Sequence, residues 1–373
     1  MPEKNDEYFM KRALALARKG EGTTSPNPHV GAVIVKNGKI ISTGYHRRAG
    51  EPHAEAIAIE KAGSRARGAA LYVNLEPCNH YGRTPPCTEK IIRAGIRRVV
   101  IGMRDPNPVA SGGVERLKKA GIEVKTGVLE REAKMLNRHF IHWIKTGNPW
   151  ISIKVALTID GCMATLTGDS KWITGEEARK DTHRWRKGLD AIMVGINTVL
   201  KDDPRLTVRY VKSNHQPVRV IIDPDLRIHA GLKILDSSAK TKIFYCGNRS
   251  KPDQSLLNLV KQNGHELIEI NNCRDKINLR EVFSILAEEG IIKIGIEGGA
   301  FLASKVIEDD LASELLIYFA PAMLGDCLKI GSTFSIGEMK KAKRFITEKV
   351  KRFTNGDVKL HLFHPEILRE VFS

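Results

Sequence analysis

Pro52-His53-Ala54-Glu55, Glu76-Pro77-Cys78 and Cys87 follow one another within 36 residues. Zinc takes imidazole nitrogen and thiolate sulfur in a tetrahedron, and a catalytic site uses three protein ligands and leaves the fourth position for water. His53, Cys78 and Cys87 supply that set. Bound zinc lowers the pKa of its water towards ~7, which makes hydroxide available at neutral pH. Glu55 lies two residues after the histidine and is not needed as a ligand, so it is free to carry protons between that water and a leaving group. One spacing is unusual. The common form is Pro-Cys-x-x-Cys, but here Asn79-His80-Tyr81-Gly82-Arg83-Thr84-Pro85-Pro86 separates the cysteines, so the chain between them must loop back to the metal. His80 reads as a loop or substrate-facing residue, because a fourth protein ligand would close the open position. Two core cysteines and a surface histidine would explain each residue singly, but not four types in this order.

Around these residues the pattern alternates strand and helix. Val30–Val35 and Lys39–Gly44 read as strands joined through Asn37-Gly38, a strong hairpin signal. Apolar Tyr8, Phe9, Ala13, Leu16 and Ala17 recur at helical spacing before them. Helices over Glu55–Gly63, Thr88–Ala94 and Gly113–Ala120 alternate with strands over Ala70–Asn74, Val99–Gly102 and Ile122–Thr126, which predicts a three-layer α/β domain. A helix over Glu130–Thr146 ends at Gly147-Asn148-Pro149, and the domain boundary is placed there: 1–147 and 148–373. The second part predicts strands from Trp150–Leu157 to Glu314–Phe319, helices between them, and a closing hairpin over Phe345–Phe353 and Val358–Phe363. That is a mostly parallel sheet with an antiparallel edge.

Composition narrows the class. Apolar residues make up 42% and charged residues 28%, a globular rather than disordered balance. Of the net charge of +17, residues 1–147 carry +12, so a polyanion partner would be sought there first. No apolar run approaches the ~20 residues of a membrane span, and the mixed-charge N-terminus reads as an amphipathic helix rather than a signal peptide. Six cysteines are too few for a disulfide scaffold, so Cys162, Cys246, Cys273 and Cys327 read as packed small residues and a cytoplasmic setting is expected.

The His-x-Glu…Pro-Cys…Cys order is the zinc-deaminase signature. Together with Asn27-Pro28-His29-Val30-Gly31-Ala32, Gly44-Tyr45-His46, the long inter-cysteine loop and Asp105-Pro106-Asn107-Pro108, it resembles the bifunctional riboflavin-biosynthesis deaminase/reductase family. Lys154-Val155-Ala156, Asp160-Gly161, Trp172-Ile173-Thr174-Gly175, Asp202 through Arg209, and Glu297-Gly298-Gly299 resemble that family's reductase part, so the resemblance covers nearly the whole chain. It implies a cytidine-deaminase-like domain followed by a dihydrofolate-reductase-like domain, with Zn2+ and NADPH as cofactors. The first would hydrolyse an exocyclic amine of a diaminopyrimidinone ribosyl phosphate. The second would reduce the ribosyl group to ribityl, with NADPH supplying hydride. Carried over by motif, Ala156, Trp172, Thr198, Asp202, Gly299, Ala300, Phe301, Leu302, Ala303, Ser304 and Lys305 would contact NADPH. Ser170, Arg186, Leu206, Arg209 and Glu297 would contact substrate, and Lys154 is a further candidate near the reacting sugar. Glycines after a strand let backbone N–H groups approach a phosphate at a helix start, and guanidinium groups pair with phosphate bidentately. Pro224 and Ala322 depart from the family, which commonly has Ser and Lys there, and Thr158-Ile159 stands for Ser-Leu.

Partners expected are a small phosphorylated pyrimidine and further copies of the chain, with no nucleic acid and no membrane. One rival is a nucleic-acid-editing zinc deaminase acting on tRNA, which would use the same metal chemistry and the basic first part. It would normally carry the short cysteine spacing and need no second domain. A metal-stabilised nucleic-acid-binding protein would need basic residues interleaved with aromatics, yet aromatics are only 6%.

Overall fold

The structure is a computed structural model that describes residues 5–81, 85–271, 273 and 276–373. Gly82, Arg83 and Thr84 of the inter-cysteine loop lie outside the described residues. The chain divides into two compact units, Met1–Gly147 with Val371–Ser373, and Asn148–Glu370.

The first unit holds a five-stranded sheet in the order β2-β1-β3-β4-β5. Its strands are β1 (Gly31–Lys36), β2 (Lys39–Tyr45), β3 (Ala70–Leu75), β4 (Arg98–Met103) and β5 (Glu123–Lys125). The β1–β2 hairpin turns at Asn37 and Gly38, both at positive φ (48° and 70°), as a primed two-residue turn requires. β3, β4 and β5 run parallel. The helices are α1 (Asp6–Ala17), α2 (Ala54–Ala62), α3 (Cys87–Arg93), α4 (Gly113–Lys119), α5 (Glu130–Leu136) and α6 (Arg138–Thr146). α1 is capped by Asn5, whose side chain accepts from the Tyr8 N–H at 3.0 Å. Its buried face is Phe9, Met10, Ala13, Leu14 and Ala17, rotated slightly from the expected stripe. The single helix expected over Glu130–Thr146 is broken at Asn137. Its buried side chain turns inward, accepting from His29 N–H and donating to His29 C=O at 2.8 and 3.1 Å.

In the second unit the elements are β6 (Trp150–Thr158), β7 (Cys162–Thr165), α7 (Glu176–Lys187), β8 (Ala191–Gly195), α8 (Ile196–Asp202), β9 (Val218–Ile222), β10 (Thr241–Cys246), α9 (Gln254–Gln262) and β11 (Glu266–Ile270). They continue with α10 (Leu279–Glu288), β12 (Lys293–Ile296), α11 (Ala300–Glu308), β13 (Glu314–Ala320), β14 (Cys327–Lys329), β15 (Ile346–Arg352), β16 (Val358–Phe363) and α12 (Pro365–Phe372). A nine-stranded sheet runs β11-β10-β9-β8-β12-β6-β13-β16-β15. It is parallel from β11 to β13, and β16 and β15 add the expected antiparallel edge. Successive residues of β8 feed opposite cores: Ala191 and Met193 join one apolar cluster, Ile192 and Val194 the other. That is the mark of a sheet covered on both faces.

Two features correct the sequence reading. β7 pairs with β14 in a separate small sheet, and disulfides join Cys162 to Cys327 and Cys246 to Cys273. These four cysteines are therefore paired, not isolated packing residues. A separation of 165 residues hid the first pair, and the second lies across neighbouring strand ends 27 residues apart.

Candidate functional sites

The first site sits where α2 and α3 begin. His53 is the N-cap of α2, Glu55 lies in its first turn, and Cys87 opens α3. Gly44 lets α2 approach β2, since a Cβ there would come within 2.2 Å of the Ala54 carbonyl. His53 Nδ1 lies 3.5 Å from Cys78 Sγ and 3.3 Å from Cys87 Sγ. All three donor atoms fall within 4.8 Å of one another. The edge between nitrogen and sulfur in a zinc tetrahedron is about 3.6 Å for bond lengths near 2.05 and 2.3 Å, so both nitrogen–sulfur separations match that ion. The inter-cysteine segment does return to the site: Cys87 N–H points at Cys78 Sγ at 3.4 Å, and Thr88 N–H donates to Cys78 C=O at 3.3 Å.

Glu55 is 3% exposed, and its Oε2 is buried with no hydrogen-bond partner among the described residues. Burial raises its carboxyl to about 7. A carboxyl that exchanges its proton near neutrality, with one oxygen left free, is what a proton carrier beside an activated water needs. Hydrogen bonds from Cys87 and contact with His53 lower the Cys78 thiol, while Cys87 is raised by its bond to Cys78 and by burial.

His46 packs edge-on against the His53 ring at 5.5 Å. Its Nδ1 faces the Pro52 carbonyl at 3.3 Å and so must donate, which leaves Nε2 to accept from the Asn27 amide at 3.1 Å. Burial keeps this ring below its ordinary pKa, consistent with the neutral tautomer. Asn27 and His46 entered the sequence reading only within quoted motifs; their neighbourhood to the ligand is a tertiary fact. His80 is half-buried, with Nδ1 unpartnered among the described residues.

The second site lies at the carboxyl ends of adjacent parallel strands β8 and β12, where open α/β sheets take ligands. The Gly298-Gly299 turn follows β12 with φ of 74° and 30° and opens α11. A Cβ on Gly298 would meet the Thr198 methyl at 2.6 Å, so Thr198 of α8 and the glycine turn are brought together. Along α11, Leu302, Ala303 and Ser304 face the core, Lys305 pairs with Glu308 and Asp309, and Phe301 is exposed. The Ser304 hydroxyl is taken by Ala300 C=O and by the N–H groups of Gly331 and Ser332. At the start of α11 the backbone of Gly299 and Ala300 offers the N–H groups that a phosphate at a helix start would use, with the Thr198 hydroxyl beside the turn. Ser170 and Asp202 line one open cleft of about 280 Å³ with Lys171 and Lys201. Trp172 is 66% exposed, with Arg179 stacked on its ring. At Pro224, whose ring supplies neither hydroxyl nor N–H, the carbonyl accepts from Cys246 N–H.

Arg186 and Glu297 form a buried ion pair, with Nη2 2.8 Å from Oε2, and Arg186 Nη1 also donates to Thr207 C=O at 3.2 Å. Most of the guanidinium fork is thus already engaged. Leu206 precedes Thr207, and the Arg209 N–H donates to buried His183 Nδ1 at 3.1 Å. Burial, and then the charges of Arg186 and Arg209, lower His183 to about 4, so this ring is a neutral acceptor. Lys154 on β6 is half-buried over the Tyr318 ring, and Ala156 pairs with Tyr318 in the β6–β13 register. Burial pushes the Lys154 ammonium down despite the opposing charge of Glu297. Arg186, Glu297, Lys154 and His183 therefore share one electrostatic environment. His183 was not singled out in the sequence and carried no motif.

The chain is similar to known proteins over both units. Residues 3–103 match the cytidine and deoxycytidylate deaminase zinc-binding region, and residues 149–359 match the RibD C-terminal domain. The riboflavin biosynthesis protein RibD of Aquifex aeolicus is 46% identical over 87% of this chain and 90% of its own length. That of Escherichia coli is 40% identical over 96% and 99%. A Thermotoga maritima diaminohydroxyphosphoribosylaminopyrimidine deaminase/5-amino-6-(5-phosphoribosylamino)uracil reductase superposes with a TM-score of 0.86 at 37% identity, covering 96% of this chain and 98% of that one. Acinetobacter baumannii RibD superposes at 0.84 with 38% identity over the same shares. Among the described residues no helix is long and apolar enough to cross a membrane.

Proposed function

The chain belongs to the RibD family of bifunctional riboflavin-biosynthesis deaminase/reductases, and we propose that the two sites divide the reactions between the two units. In the first unit His53 Nδ1, Cys78 Sγ and Cys87 Sγ would hold Zn2+, whose chemistry when bound is Lewis-acid activation of a water. Glu55 accepts the proton at Oε2 and delivers it to the exocyclic amine of the diaminopyrimidine ribosyl phosphate as ammonia leaves. His46 and Asn27 fix the residue before the ligand histidine. In the second unit the backbone of the Gly298-Gly299 turn and of Ala300 faces the phosphates of NADPH, which supplies hydride when bound. Thr198, Asp202, Ala156 and Trp172 border the cofactor. Ser170, Leu206, Arg209 and the Arg186–Glu297 pair border the ribosyl phosphate, and Lys154 stands beside them.

The observation that carries this reading is the convergence of His53, Cys78 and Cys87 around a buried carboxyl with one free oxygen. The tRNA-editing alternative is not favoured, because the relatives match across the reductase part as well. The test is full-length, zinc-replete protein with the diaminopyrimidinone ribosyl phosphate and NADPH, recording ammonia and NADPH together. One ammonia and one NADPH oxidised per substrate is expected. Ammonia without NADPH oxidation would remove the second site, and neither product would remove the substrate assignment.

A further inference from the structure

Glu76 is two residues before Cys78, and its side chain is 1% exposed. Its Oε1 accepts from the Val114 N–H at 2.9 Å and its Oε2 from the Asp105 N–H at 3.2 Å. Arg104 stays 3.9 Å away, is half exposed, and is paired with Glu115 at 2.8 Å. The two backbone amides, closer than the Arg104 guanidinium, are the main groups that offset the cost of burying this carboxylate. The two amides bracket one loop that runs into the first turn of α4, residues 105–114, and begins with Asp105-Pro106-Asn107-Pro108.

That loop touches the ligand-bearing segment at two more places. Ala110 C=O accepts from the Asn79 N–H at 3.0 Å, one residue past Cys78. Gly113 lies so close to Pro77 that a Cβ would come within 2.0 Å of the Pro77 carbonyl. Asn79 Oδ1 in turn accepts from the Thr88 hydroxyl at 3.0 Å, one residue past Cys87. A continuous set of bonds thus runs from Glu76 through the loop to Asn79 and Thr88, with each cysteine ligand next to one of its members.

We propose that Glu76 is a positioning residue for the metal centre: by stapling both ends of the 105–114 loop to the Glu76–Asn79 segment, it holds the sulfurs of Cys78 and Cys87 at metal-binding separation. The inference rests on the reading of His53, Cys78 and Cys87 as the metal ligands. Groups that orient metal ligands typically change metal affinity by about 10–100-fold when removed.

The test is zinc release from full-length, zinc-loaded protein into excess chromogenic chelator, with the visible spectrum of the Co2+-substituted protein as a second readout. Glu76→Gln preserves volume but keeps only one acceptor oxygen and turns an amide NH2 towards the other N–H. It should release zinc about 10–100-fold faster and alter the cobalt d–d bands. Asp6→Asn, which removes the partner of Arg98 and Lys125 elsewhere in the same unit, should lower stability and leave zinc release unchanged. Release at the wild-type rate from Glu76→Gln, with unchanged cobalt bands, would overturn the inference and leave the metal reading standing. Wild-type protein that holds no equivalent of zinc would overturn both. If Glu76→Gln does not fold, Thr88→Val decides: faster release supports the linked frame, and an unchanged rate overturns it.

Discussion

The metal centre and the cofactor turn make opposite use of their side chains. At the first, imidazole, thiolates and a carboxyl present their chemistry directly, with His53, Cys78 and Cys87 converging and Glu55 Oε2 left free. At the second, much of the side-chain chemistry is already engaged: Arg186 by Glu297, Ser304 by the 331–332 backbone, Leu302 and Ala303 by the core. What remains there is backbone shape. A metal demands particular atoms, whereas a dinucleotide phosphate demands N–H groups and room. The sharpest way to break this contrast is Glu55→Gln. It should keep stoichiometric zinc and lower ammonia release by about 10²–10⁴-fold, while reduction of the separately supplied deaminated intermediate proceeds normally. Normal deamination by this variant would show that the free carboxyl oxygen is not the proton carrier.

The corresponding test of the second site alters shape rather than chemistry. Gly298→Ala adds one methyl at φ 74°, 2.6 Å from the Thr198 methyl. The positive φ alone costs about 1–2 kcal/mol for an L-residue, so the turn must shift and its amides with it. NADPH affinity, measured by fluorescence titration of the full-length protein, should fall about 10-fold with deamination unchanged. An unaltered dissociation constant would mean that the turn does not meet the cofactor.

The same contrast explains what could be read in advance. The metal site was legible because four residue types in order specify it, and the hairpin because Asn37-Gly38 has few other uses. The parallel sheet was legible because its strands are apolar on both faces. Other features depend on distant chain. Asn137 ends a helix because His29 needs its amide, and Cys162 finds Cys327 only once β7 and β14 pair. His183 and Glu76 act through backbone N–H groups, and no residue pattern announces that. Motif resemblance implies that Arg186 and Glu297 contact substrate, but that they pair with each other, and that Thr207 C=O takes a further guanidinium N–H, depends on the fold.

The smallest expected effect concerns what holds the second unit's edge. Asp181 on α7 accepts from the Tyr318 hydroxyl and from Lys351 and Lys359, each at 2.8 Å, and so ties β13, β15 and β16 to the helix. Burial alone would raise its carboxyl, but the hydrogen bonds from Lys351 and Lys359 outweigh it and lower the group from 3.8 to about 2. A carboxyl with a lower pKa in the folded than in the unfolded chain binds fewer protons when folded. Its contribution is therefore complete above about pH 4 and is lost as pH falls towards 2. Asp181→Asn keeps one acceptor for the buried tyrosine and removes the charge that two ammonium groups share. It should cost about 1–3 kcal/mol at neutral pH, read by denaturant unfolding of the full-length protein. The gap between wild type and variant should narrow between pH 4 and pH 2. A gap that stays constant across that range would show that the lysines hold the hairpin by their packing on Tyr318 and Phe353 rather than by the charge of Asp181.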